Sequence, residues 1–240
     1  KRREKVTGTI VNVASIVAGG ALGLLLGSRL KDSLKQTVVN GLGLFTLLYA
    51  GTLFLKTGNA LIVLGSLVIG ILLGEWWRIE DGLAWLGTRL EARVNKGNGG
   101  SNGSARFIKG FLTATLLFCI GPMAILGSIQ DGLTGDFNTL LIKSVLDGFT
   151  AMAFASTLGA GVLFSALPVL IYQGAISLLA GAMQTLATTE MMNELTATGG
   201  VILAGLALSS ILEIKKMRMG NFLPALIMAP LIVFVLSLIK

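Results

Sequence analysis

Asp147 is the residue of this chain best placed to do chemistry. It stands among apolar side chains, with Lys143 four positions before it, so on a helix the two share one face and could pair. A charged group inside an apolar zone costs a few kcal/mol or more and faces a cavity or a partner. Such a carboxylate could bind Na+, H+ or a cationic solute. Two placements fit the sequence. A helix starting near Leu140 sinks Asp147 about two turns deep, whereas one starting at Gly148 leaves it as a cap facing water.

Asn12, Asn40 and Gln173 are amides within apolar stretches, each five or six residues from its segment's start. They read either as interhelical glue or, with Asp147, as a polar site drawn from four helices. Ser144 and Thr150 stand three residues either side of Asp147 and follow its face, with the hydroxyls of Ser156 and Thr157 further along. Pro122, in Cys119-Ile120-Gly121-Pro122, interrupts an apolar run and frees a backbone carbonyl. That break is either a packing kink or an ion-coordinating half-helix end. Gly159 and Gly161 mark a second candidate hinge.

Other chemistries are closed by composition. No histidine is present, so there is no imidazole base or triad, and the single Cys119 gives no disulfide, CxxC or zinc set. Asp136 in GLTGD lacks the first glycine of an intramembrane aspartyl protease motif and falls in an expected loop. No enzyme, cofactor or metal centre is expected.

The elements that must position these groups are transmembrane helices. Of 240 residues 53% are apolar and 13% charged, about half the charge of a soluble domain, and the mean hydropathy is +0.82. Gaps between ionisable residues serve as rulers, since a span needs about 20 apolar residues. Six gaps hold 18 to 23 positions, and the 42 between Asp147 and Glu190 hold two helices with a turn around Ser165–Pro168. The expectation is an all-α, polytopic bundle of eight spans. Seven is the alternative if Pro224 and Pro230 make the last segment re-entrant.

Residues 1–6 form a basic tail, 7–74 a three-helix unit, 75–109 a linker, 110–189 a second three-helix unit and 190–240 a final pair. The odd number of crossings per unit inverts the second relative to the first, the plan of many secondary transporters. In the linker, Ile79, Leu83, Leu86, Leu90 and Val94 line one helical face beside Trp76, Trp77 and Trp85, an interfacial helix preceding a flexible Gly97–Ser104. Twelve Lys and Arg gather on the linker's side of the membrane and seven on the other, which predicts a cytoplasmic linker. The net charge of +7 is accounted for by these loops against anionic lipid, with no nucleic-acid partner implied. Gly19, Gly23 and Gly27 form a small-residue stripe for close helix packing, within one chain or in a homodimer.

LFCIGPMAILGSIQDGLTGD (Leu117–Asp136), KSVLDGFTAMAFASTLGAGV (Lys143–Val162), TATGG (Thr196–Gly200), NFLPAL (Asn221–Leu226) and the opening GTIVN…GGALGLLLG resemble the bacterial domain of unknown function 554 family. The resemblance covers nearly the whole chain and implies a polytopic inner-membrane protein with no settled substrate and no site residues to carry over. From the residues themselves, the expected function is alternating-access transport of a small solute or monovalent cation, coupled through Asp147. An ion channel and a structural or signalling membrane protein are the alternatives. Asp147→Asn is expected to abolish coupling and leave folding intact.

Overall fold

In the computed structural model, residues 6–29, 31–94, 101–120, 122–183 and 188–239 are described, and among them the secondary structure is entirely helical. The helices are α1 (Thr7–Gly27), α2 (Asp32–Phe54), α3 (Ala60–Trp77), α4 (Ile79–Val94), α5 (Ser101–Cys119) and α6 (Pro122–Thr134). After them come α7 (Asn138–Leu158), α8 (Gly161–Phe164), α9 (Ala166–Leu178), α10 (Ala180–Met183), α11 (Thr189–Leu206) and α12 (Pro224–Ile239). Seven stretches are long and apolar enough to cross a bilayer, and the α5–α6 pair, bent by 61°, passes the same test as a unit.

The direction of α7 decides what that bent pair does. Along the α1–α7 seam, a methyl added to Gly8 would strike Leu140, one on Gly19 the Gly148 carbonyl, one on Gly23 the Met152 carbonyl, and one on Gly27 the Ser156 carbonyl. Both sequences ascend together, so α1 and α7 run parallel. Three crossings (α1, α2, α3) carry the chain away from the end at which α1 begins. For α7 to start beside the start of α1, α5–α6 must bring it back. The bent pair therefore crosses, and the bundle has eight crossings among the described residues. The glycine stripe packs within the chain, against α7.

The same logic orients the rest. Gly200 of α11 meets Ala50 and Phe54 of α2 while Gly43 meets Leu212, an antiparallel pair; Gly70 and Gly74 of α3 meet Ala225 and Asn221, so α12 is antiparallel to α3. We call the end holding the start of α1 the N-terminal end. The span Thr189–Ile211, 67% buried, is the central strut, whereas Ala60–Trp77 is 22% buried. Its exposed face carries Leu61, Leu64, Val68 and Leu72, and that of α7 carries Ile142, Val145, Leu146 and Phe149. Apolar side chains on both the inner and the outer faces are what a bundle surrounded by lipid requires.

Several boundaries differ from those the sequence suggests. The turn inside the long uncharged stretch falls at Gly159, not at Ser165–Pro168. Gly159 adopts φ 85°, a left-handed region open to glycine, and ends α7. Pro168 sits in the first turn of α9, where its missing N–H breaks no helical bond. The segment from Ser101 is already helical, so only residues 97–100 of the expected flexible linker fall outside the described residues. α11 begins at Thr189, whose preceding Thr188 hydroxyl accepts from the Met191 N–H at 3.3 Å. It ends in a π-helical turn over Ala207–Ile211. The last segment is a full span, Met219–Leu238: Pro224 opens α12 and Pro230 lies within it without ending it.

Candidate functional site

Four helices build the surroundings of Asp147. α7 starts at Asn138, so Asp147 is the tenth of its residues, about 14 Å along at ~1.5 Å per residue. The cap placement is thereby replaced by the buried one: Asp147 is 7% exposed and Lys143 6%. Lys143 Nζ pairs with Asp147 Oδ2. Asn12 Nδ2 on α1 donates to the same oxygen at 3.0 Å and to Gln173 Oε1 on α9 at 3.2 Å. From α5, the Phe118 ring lies with its centroid 5.9 Å from Lys143 Nζ, within reach of a cation–π attraction.

This network is incompletely satisfied. Asn12 Oδ1 and Gln173 Nε2 are buried with no hydrogen-bond partner in the protein, an acceptor and a donor beside a carboxylate–ammonium pair. Buried polar groups are paired in all but a few cases, so these two atoms have unused capacity for a polar ligand or water. Ser144 is buried next to it, but its hydroxyl donates to its own helix at Leu140.

The remaining residues expected at this site lie elsewhere. Asn40 is on the exposed face of α2, where its amide oxygen accepts from Gln36 Nε2 at 3.3 Å. It is therefore not a fourth arm, because the helical phase of α2 turns it away from the bundle. Thr150 is half-buried and donates back to Leu146. Ser156 and Thr157 donate to Ala153 and Phe154 carbonyls, and Arg106 instead grips the Thr157 carbonyl, at 3.0 Å through Nε. Pro122 opens α6, and the helix does break there: α5 ends at Cys119. Cys119 is half-buried with a free thiol.

Two carboxylates that sequence reasoning used only as span markers proved to be structural anchors. Asp131 on α6 is fully buried, and its Oδ2 accepts from the Gly8 N–H at 2.8 Å, capping the start of α1 from another helix. Glu194 on α11 accepts from the Thr57 hydroxyl at 2.7 Å and from the Gly58 and Asn59 N–H groups at 2.8 and 3.0 Å, holding the α2–α3 turn. Their helical phase was the available signal: Ser128 and Asp131, three apart, share one face of α6.

The bundle's two ends differ in charge. At the N-terminal end a cleft of about 580 Å³ is bordered by Asn59, Glu190, Asn193 and Glu194. At the opposite end a cleft of about 390 Å³ is bordered by Lys35, Arg106, Lys109 and Glu213. Also at that end, Arg218 pairs with Glu75 and Asp81, and Asn221 donates to Glu75 while accepting from the Glu80 N–H. These contacts strap the segment before α12 to the α3–α4 corner. Burial pushes the Glu80 carboxyl above its ordinary value, against the Gly220 N–H that donates to it and the charge of Arg218.

Eight apolar crossings around a buried charge pair define a multi-pass helical membrane protein. The chain belongs to the family described as "Protein of unknown function (DUF554)", whose profile matches residues 7–234. It is 34% identical over 233 residues to the uncharacterized membrane protein YdfK of Bacillus subtilis, covering 95% of this chain and 96% of that one. It is 32% identical over 224 residues to the uncharacterized protein YqgA of Escherichia coli, covering 93% and 94%. No solved structure matches the chain.

Proposed function

We propose that the protein is a secondary transporter that moves a small solute or monovalent cation through the Asp147 site by alternating access. The observation that carries this reading is the buried Lys143–Asp147 pair with an unused acceptor on Asn12 and an unused donor on Gln173. A lone carboxylate would be a fixed trap, whereas a carboxylate with its own ammonium can exchange partners. An incoming cation takes the carboxylate while Lys143 gives up its proton to the water on the open side, and when the cation leaves on the other side Lys143 takes a proton from the water there, so one cation exchanges for one proton. Dragging charge into the bundle is then matched by displacing charge.

The fold supports the exchange of access. The crossings before α4 run out, back, out from the N-terminal end, and α5–α6, α7 and α8–α9 run back, out, back. That is the relation of two inverted units. Breaks at Cys119–Pro122 and after Phe164 interrupt two crossings of the second unit. We read the end rich in Lys and Arg as cytoplasmic, following the positive-inside rule, and the protein as one of the inner membrane with α4 along its cytoplasmic face.

The test uses proteoliposomes loaded with a pH-sensitive dye. An inward Na+ or K+ gradient should shift the internal pH with wild-type protein and not with Asp147→Asn. A flat trace with wild-type protein for both cations and for a panel of small amino acids and organic cations rejects the transporter. Discrete unitary currents in planar bilayers would make it a channel.

A further inference from the structure

Nine buried side-chain atoms among the described residues have no hydrogen-bond partner in the protein, and they are not scattered. Six belong to one seam: Thr9 and Asn12 on α1, Ser128 and Asp131 on α6, and Gln173 and Ser177 on α9. Each pair is three or four residues apart, so each lies on one face of its helix. Three contacts join these faces. Gly8 beside Thr9 donates to Asp131, Asn12 donates to Gln173, and a methyl on Gly132 would lie 2.0 Å from the Ser177 carbonyl. All six residues are at most 1% exposed.

As a helix cap alone this arrangement is overbuilt. The Gly8 and Thr9 N–H groups at the start of α1 both act on the Asp131 carboxylate, yet only Oδ2 is in hydrogen-bond geometry and Oδ1 is left over, within a seam of three hydroxyls equally unsatisfied. Leaving one buried polar group without a partner costs about 1–3 kcal/mol, so six in one seam need water or a solute beside them.

We propose that the α1–α6–α9 seam is a hydrated access route from the N-terminal end to Asp147, and that Asp131 is a second carboxylate on that route which binds the passing monovalent cation. Asp131 lies three residues from the end of α6, and Asn12 and Gln173 complete the path to Asp147. The cation's destination rests on the function proposed above; the route itself does not.

The single native cysteine makes the route directly testable. In a Cys119→Ser background reconstituted in nanodiscs, Ser128→Cys, Ser177→Cys and Ala155→Cys are each reacted with the cationic thiol reagent MTSET and the anionic MTSES. Ala155, 1% exposed in the apolar core, reports a position away from the seam. Cysteines at 128 and 177 should react faster than the one at 155, and their MTSET-to-MTSES rate ratio, divided by the same ratio for free 2-mercaptoethanol, should be on the order of tenfold, because an acidic cleft concentrates cations.

Adding Asp131→Asn should abolish that preference and Asp131→Glu should keep it. Asn still accepts from the Gly8 N–H, and Glu covers the case in which Asp131→Asn does not fold. Equal rates at all three positions overturn the route, and a preference untouched by Asp131→Asn overturns the cation site. Because thiol labelling needs no transport, failure here with dye-monitored cation movement intact rejects the route alone.

Discussion

Asn12 Nδ2 lies 3.0 Å from Asp147 Oδ2, across 135 residues of chain, and the same nitrogen reaches Gln173 on a third helix. One amide thus ties α1 and α9 to the Lys143–Asp147 ion pair of α7. The glycine stripe that draws α1 onto α7 sets the spacing, so close packing and site geometry have a common cause.

That arrangement changes what Asp147→Asn should do. Taken from sequence, the substitution leaves folding intact; in the structure it strands the Lys143 ammonium in the bundle. Removing one member of a buried pair costs about 3–5 kcal/mol. Asp147→Asn should therefore lower the unfolding midpoint in detergent strongly, and Lys143→Met added to it should recover most of the loss. A single variant as stable as wild type would mean the pair contributes nothing.

The α1–α7 seam predicts opposite outcomes for chemically identical changes. Gly19→Ala places a methyl 2.0 Å from the Gly148 carbonyl, an overpacking worth about 1–3 kcal/mol or more. Gly41→Ala and Gly51→Ala on α2 meet nothing within 4 Å and should be neutral or stabilise by about 0.5–1 kcal/mol through lower backbone entropy. Thermal melts of the three variants side by side test this, and equal midpoints refute it.

Glu194 holds the α2–α3 turn through three donors while 4% exposed. Glu194→Ala strands two N–H groups and should cost roughly 2–5 kcal/mol, with Glu194→Gln retaining part of the binding. Hydrogen exchange at Gly58 and Asn59 should accelerate in the alanine variant before any other turn responds. Unchanged protection there would show that water replaces the carboxylate at no cost.

Glu80 gives the pH dependence of the α4 corner. Its carboxyl is held above its ordinary value, chiefly by burial, so the folded state binds that proton more tightly than the unfolded one. The stabilisation is complete below the ordinary carboxylate value and is lost as pH rises through the raised one. Across that window the wild-type melting temperature should fall relative to Glu80→Gln. Parallel profiles would remove Glu80 from the account.

The membrane class was legible because it is a bulk property: ruler gaps, mean hydropathy and the apolar stretches need no knowledge of neighbours. The i, i+4 relation of Lys143 and Asp147 was legible for a similar reason, since helical geometry fixes it locally. Asn40 shows where this stops. Its depth along α2 resembles that of Asn12 along α1, but depth does not give azimuth in a helix that is apolar all round, and Asn40 turns outward. Asp131 shows the converse. As a charge near a span's end it looked like a boundary, and only the arrival of α1's first N–H groups makes it a buried acceptor.

By itself, then, the sequence determined that the chain is a lipid-embedded helical bundle with a carboxylate and an ammonium on one face of one helix. The tertiary structure alone decided that α1 lies parallel to α7, that the α5–α6 crossing is bent, and which amides meet the pair. The physical reason is that hydrophobicity in a membrane helix is nearly isotropic around its axis. It specifies insertion but not rotation, and rotation is set by where glycines permit backbones to touch.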